Sequence, residues 1–149
     1  MKIVSHRANL NGICDAENHP QQIIEALEYF SVEIDVWSID EKWFLGHDEP
    51  TYEVNKNFFN KDMYLHCKNL QAVEELKKTD LNWFWHEGDK ITLTSRGNIW
   101  CYPKVYVDGG ITVMFGKPTI EEVSCLPKNI AGLCTDWPVE LKKIIEGIR

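Results

Sequence analysis

Val32-Glu33-Ile34-Asp35-Val36-Trp37 alternates strictly between apolar and carboxylate residues before it closes on a tryptophan. Successive side chains of a strand point to opposite faces, so Val32, Ile34 and Val36 share one face, and Glu33, Asp35 and Trp37 share the other. One reading of the acids is the solvent face of an edge strand. Carboxylates are poor strand formers without a partner, however, and a cation held between Glu33 and Asp35 would account for both. Downstream, the polar turn Ser38–Lys42 separates this strand from Trp43-Phe44-Leu45-Gly46-His47, and the spacing predicts a hairpin that returns His47 to the carboxylates. Upstream, Ile3-Val4-Ser5 reads as a short strand opening onto His6-Arg7. After a polar loop, Pro20 starts a helix with Ile23, Ile24, Leu27 and Phe30 on its apolar face.

The pattern continues with a strand over Met63–Lys68 and a helix from Asn69, its N-cap, to Lys78, with Leu70, Val73 and Leu76 inward. Beyond residue 80 the strands come faster: Ile91–Leu93, Ile99–Tyr102, Ile111–Phe115 and Ala131–Cys134, before an amphipathic helix from Pro138 to Ile148. Strands alternating with helices, and reactive side chains at strand ends, predict an α/β fold: a compact, abbreviated TIM-type (β/α) barrel with reduced helices in its second half, residues 1–149 forming a single domain. The 149 residues fall well short of the roughly 250 of a full barrel, so the missing length is expected to come from missing helices.

Composition narrows the function. The formal net charge of -7 and pI near 5.2 argue against nucleic acid as a partner, since sequence-blind binding needs a basic face. The run Met1–Ser5 is too short for a signal peptide, and no stretch has the eighteen or so apolar residues of a membrane span. Cys14, Cys67, Cys101, Cys125 and Cys134 are odd in number and lack CxxC spacing, which argues against a disulfide framework. A cytoplasmic, soluble protein is expected.

The chemistry sits in the first third of the chain. His6-Arg7, Glu33/Asp35 and His47-Asp48 supply two imidazoles able to exchange protons near neutrality, an arginine fork for phosphoryl oxygens and a carboxylate pair for a divalent metal. Those are the parts of a metal-dependent phosphodiester hydrolase. His86 and Trp100 are candidate pocket residues, and Glu17 is either an active-site contact or a cap or brace for Arg7. The aromatic run around Trp83–Trp85, Trp100 and Tyr102 reads chiefly as core, and Asp136 as structural.

Ser5-His6-Arg7, Glu17-Asn18, Glu33-Ile34-Asp35 and Gly46-His47-Asp48, taken in that order, resemble the glycerophosphodiester phosphodiesterases. Leu65-His66-Cys67-Lys68 occupies the place of that family's E-x-K strand, and Gly132–Pro138 is similar to its closing strand and T-D-x-P turn. The resemblance implies a barrel of the phosphatidylinositol-specific phospholipase C superfamily, here in short form. It makes His6 and His47 the general acid and base, Glu33 and Asp35 metal ligands, and Arg7 and Lys68 phosphate contacts. The implied ion is Mg2+ or Ca2+, with Mn2+ or another transition ion as the alternative. The implied substrate is a glycerophosphodiester-like small molecule or lipid head group, which places the chain in lipid metabolism. Two departures stand out. Ala8 follows the histidine-arginine pair where the family has glycine, and His66 replaces the E-x-K glutamate as third ligand. Two other readings accompany the hydrolase: a catalytically weak phosphodiester- or phosphate-binding module of the same fold, and a subunit whose uncovered surfaces pair with another copy or a partner.

Overall fold

The computed structural model describes residues Met1–Ile148. In chain order the elements are β1 (Lys2–His6), α1 (Pro20–Leu27), β2 (Ser31–Ile39), β3 (Lys42–Leu45), β4 (Tyr52–Val54), β5 (Met63–Cys67), α2 (Leu70–Leu76), β6 (Trp83–Phe84), β7 (Ile91–Leu93), β8 (Ile99–Cys101), β9 (Gly110–Met114), α3 (Ile120–Ser124), β10 (Gly132–Thr135) and α4 (Pro138–Ile148).

These elements do not form the expected TIM-type barrel. The strands make one mixed, ten-stranded sheet curled into a half-barrel, with only four short helices among the described residues. The order β4-β3-β2-β1-β10-β9-β8-β7 runs along the sheet, and β5 joins β2 to β6 beside it. The physical reason lies in the connections. Parallel strands need long crossovers, usually helical. Residues 38–54 instead turn back as the antiparallel β2-β3-β4 meander, and β7 and β8 form an antiparallel pair closed around Gly97 at φ 78°. The loop from β8 to its parallel neighbour β9 carries no helix.

The expected β2-β3 hairpin does form, with Asp40 and Glu41 both left-handed in its turn (φ 49° and 65°). Such paired positive φ values match the twist of the flanking strands. Helix starts follow their caps: the His19 ring accepts from Gln21 N ahead of Pro20, and Asn69 Oδ1 accepts from Ala72 N. The buried faces differ from the simplest apolar count. Ile23 with Ala26, and Ala72 with Leu76, meet the sheet, whereas Ile24 and Leu70 are exposed.

Two layers of core result. Ile34, Leu65, Met63 and Val36 pack outward against α1 and α2, each fully buried large aliphatic contributing about 2 kcal/mol. On the inner face Val4, Tyr64, Phe84, Trp100, Ile111 and Cys134 pack together from six strands. This inner cluster floors the concave side on which the polar groups stand. No described helix is long and apolar enough to cross a membrane.

Candidate functional site

Cross-strand partners in a sheet share a face, and the register collects the polar residues at the carboxyl ends of the parallel strands. His6 pairs with Glu33 across β1 and β2, Asp35 with His66 across β2 and β5, and His66 with Phe84 across β5 and β6. β2 is interior, and Glu33 and Asp35 are 2% and 1% exposed, so the acids are no solvent-facing edge.

Glu33, Asp35 and His66 each present a ligand atom within 4.8 Å of the others, a cluster that could hold a metal ion. His66 Nδ1 lies 3.1 Å from Asp35 Oδ1 and 3.7 Å from Glu33 Oε1. Burial alone would lower the His66 pKa, but the two carboxylates outweigh it and raise it to about 9. An imidazolium therefore stands between the acids. Burial would likewise raise Asp35, yet His66, Arg7 and Asn18 offset this and hold its carboxyl well below the usual carboxylate range. Buried Asp35 Oδ1 accepts no hydrogen bond, having only the charge contact of the His66 ring, and Arg7 Nε, 3.4 Å from Asp35 Oδ2, donates none. A buried carboxylate oxygen without a donor is costly unless something binds it. The chemistry of the donor set and this orphaned oxygen both fit a divalent cation.

The turn after β1 places the arginine. Arg7 (φ 51°) and Ala8 (φ 63°) are left-handed in succession, closed by Asn9 N donating to the His6 carbonyl at 2.9 Å. Such a conformation costs an L-residue roughly 1–2 kcal/mol. Ala8 thus adopts the backbone that glycine favours, and its fully buried methyl packs in the outer core. In return Arg7 N donates to Glu33 Oε2 (3.3 Å), and the guanidinium reaches Glu17 Oε2 (3.3 Å) and Asp35 Oδ2 (3.4 Å). Burial lowers the Arg7 pKa, and the Asp35, Glu33 and Glu17 charges more than compensate, so it is raised. Lys68 Nζ stands 3.8 Å from Asp35 Oδ1. Glu17 does not line the cavity; it braces Arg7 and accepts from Asn9 Nδ2 at 2.7 Å.

Both histidines of the sequence pattern have a carboxylate at Nδ1. His6 Nδ1 is 2.7 Å from Asp136 Oδ1 in the turn after β10, and His47 Nδ1 is 2.7 Å from its neighbour Asp48. Burial opposes protonation of His6, but the Asp136 hydrogen bond and the Glu33 charge prevail and its pKa is raised. Burial would raise Asp136, and the His6 contact instead lowers it. His47 is carried on the loop after β3, where Gly46 N donates to the Asp35 carbonyl (3.2 Å) and Trp37 Nε1 to the Gly46 carbonyl (2.7 Å). Gly46 has φ +149°, and a Cβ there would lie 2.1 Å from the Glu49 carbonyl oxygen.

A cavity of about 390 Å³ joins these groups: His6, Arg7, Glu33, His47, His66, Lys68, His86 and Trp100 all line it. Asp35 lies beneath its floor in contact with Arg7, His66 and Lys68. The ring of His66 stacks on Phe84 (4.9 Å) and on His86 (4.8 Å), and burial together with the His66 charge lowers the His86 pKa. Trp100 is both core and wall, since it packs on Phe84 and Tyr64 from below.

Three residues of the site escape a reading of strand-end motifs. Asp136 orients His6; Asn18, at φ 59°, donates to Asp35 Oδ2 and accepts from Asp35 N, both at 2.9 Å; and Asn9 links Glu17 to Asp136. The T-D-x-P turn and the Glu17-Asn18 pair were the available signals for the first two. Comparison with protein-family models, curated proteins and solved structures finds no match for this chain.

Proposed function

We propose that the chain is a metal-dependent phosphodiester hydrolase of the kind its His6-Arg7, Glu33-Ile34-Asp35 and His47-Asp48 segments resemble, acting on a glycerophosphodiester-like small molecule or lipid head group. The observation that carries this reading is that two carboxylate-paired histidines, an arginine, a lysine and the Glu33/His66 pair line a single cavity.

Arg7 and Lys68 bring two fixed positive charges to the floor, where the nonbridging oxygens of a phosphodiester would be neutralised. Glu33, Asp35 and His66 would hold a divalent cation, which supplies Lewis-acid stabilisation of phosphoryl charge. The carboxylates at Nδ1 of His6 and His47 fix each ring's tautomer and leave Nε2 as the nitrogen for proton transfer. One histidine takes the proton of the nucleophile, water directly or a neighbouring substrate hydroxyl that forms a cyclic phosphate for water to open, and the other protonates the leaving alkoxide, each step worth about 10²- to 10⁴-fold in rate. Asp136 acts through His6 as a positioning residue, and Asn18 through Asp35.

Hydrolysis of a glycerophosphodiester by the metal-loaded protein tests the reading, with His6→Ala and His47→Ala alongside. Turnover in the parent and its loss in both variants, with unchanged circular dichroism, is expected. Full activity in either variant would remove that histidine from the acid/base pair.

A further inference from the structure

The geometry points to a first-row transition ion, Mn2+ or Zn2+, at Glu33, Asp35 and His66, in preference to Ca2+ or Mg2+. This rests on the metal-site reading above but not on turnover.

The argument is a census of lone pairs. Glu33 Oε2 is engaged by Arg7 N, and Asp35 Oδ2 by Asn18 Nδ2 and the Arg7 guanidinium. The atoms of the cluster that face one another are Glu33 Oε1, Asp35 Oδ1 and His66 Nδ1, two oxygens and one nitrogen. Ca2+ takes about six to eight oxygen ligands, and a three-atom set with an imidazole serves it poorly. Mg2+ tolerates fewer protein ligands, one or two carboxylates completed by waters, but as a hard ion it gains little from nitrogen.

The carboxylate charge is already largely met. The two carboxylates face two fixed cations, Arg7 at 3.4 Å and Lys68 at 3.8 Å from Asp35. A hard ion held by electrostatics alone finds a site whose three carboxylates, Glu17 included, are already largely offset by Arg7 and Lys68. A transition ion gains in addition from the imidazole donor, whose affinity for nitrogen rises across the first row. The His66 ring is held in place by Phe84, stacked at 4.9 Å and 8° between planes, so the nitrogen is a fixed part of the floor.

The test is calorimetric titration of the metal-stripped full chain with MnCl2, ZnCl2, MgCl2 and CaCl2, with pulsed electron paramagnetic resonance of the Mn2+-loaded protein. The expected result is Zn2+ binding about a hundredfold or more tighter than Mg2+ or Ca2+, with Mn2+ between them and tighter than either hard ion. Nitrogen modulation is expected in the Mn2+ spectrum, and His66→Glu is expected to narrow the affinity ratio by about tenfold while abolishing that modulation. The resonance measurement needs only the parent protein, so it decides the matter even where His66→Glu fails to fold. Mg2+ or Ca2+ binding as tightly as Mn2+, or Mn2+ bound without nitrogen coupling, would overturn the inference. The two claims separate cleanly. Transition-ion binding without diester turnover leaves the inference standing and removes the hydrolase, whereas turnover supported by Mg2+ or Ca2+ with no nitrogen coupling does the reverse.

Discussion

His6 Nδ1 lies 2.7 Å from Asp136 Oδ1, a contact between residues 130 apart in sequence that ties the end of β1 to the turn after β10. It rests on the parallel β1-β10 pairing, which places Ser5 opposite Thr135 and so brings the next residue of each strand together. Asn9 Nδ2 donates to the same Asp136 oxygen at 2.9 Å, so the carboxylate is held from two sides.

Asp136→Asn is therefore expected to lower kcat by about 10²- to 10⁴-fold with little change in KM, since the ring loses its tautomer and not its place in the cavity. Steady-state kinetics beside an NMR titration of His6 checks this. The His6 pKa should fall in the variant, and a wild-type pKa would reduce Asp136 to a structural contact.

The metal-free protein should lose stability as pH rises through about 9. His66 titrates near 6.5 when unfolded and near 9 when folded, so its contribution is complete below 6.5 and vanishes as the folded group deprotonates. Asp136 acts in the opposite sense: its lowered pKa contributes stability above about pH 4 that is lost on acidification. Urea midpoints measured from pH 3 to 10 should fall at both ends, and His66→Asn should remove the part of the alkaline fall centred near pH 9, leaving the smaller contribution of His6. A flat alkaline limb in the parent would contradict the placement of His66 between two carboxylates.

Much of this site was legible in residue order because strands impose a period of two. The alternation of Val32–Trp37 put Glu33 and Asp35 on one face, the Ser38–Lys42 turn predicted the hairpin, and Asn69 and Pro138 marked helix starts that the structure contains. The barrel was not borne out, because strand order and direction depend on long-range pairing that no local pattern encodes. The short α3 carries a local start signal, Thr119 with Glu122 as a capping box, but its five residues are too few to show an apolar period. Helix faces misled through Ile24 and Leu70, where smaller alanines sit closest to the sheet. Asp136 and Asn18 reach the site only through tertiary contacts.

Metal affinity should rise about tenfold per pH unit below pH 9, because an ion entering the cluster must displace the His66 proton. Titration with Mn2+ in buffers of different ionisation enthalpy should show about one proton released per ion at neutral pH. Binding independent of pH between 6 and 8 would mean that His66 is no ligand.

Gly46→Ala should damage activity through the His47 loop. The added Cβ would meet the Glu49 carbonyl at 2.1 Å in a backbone conformation that L-residues rarely adopt, and a loss of roughly 1–3 kcal/mol in stability is expected. Chemical denaturation with parallel kinetics reads both effects; a parent-like variant would show that the loop does not hold His47 in place.

The most direct test is turnover of bis(p-nitrophenyl) phosphate and of a glycerophosphodiester by metal-stripped protein with Mn2+, Zn2+, Mg2+ or Ca2+ added back, beside the Glu33→Ala/Asp35→Ala double variant. Turnover restored by metal in the parent and absent from a folded double variant is the expected result. Silence of the folded, metal-loaded parent toward both diesters, or equal turnover in the double variant, would contradict a phosphodiester hydrolase built on these two carboxylates.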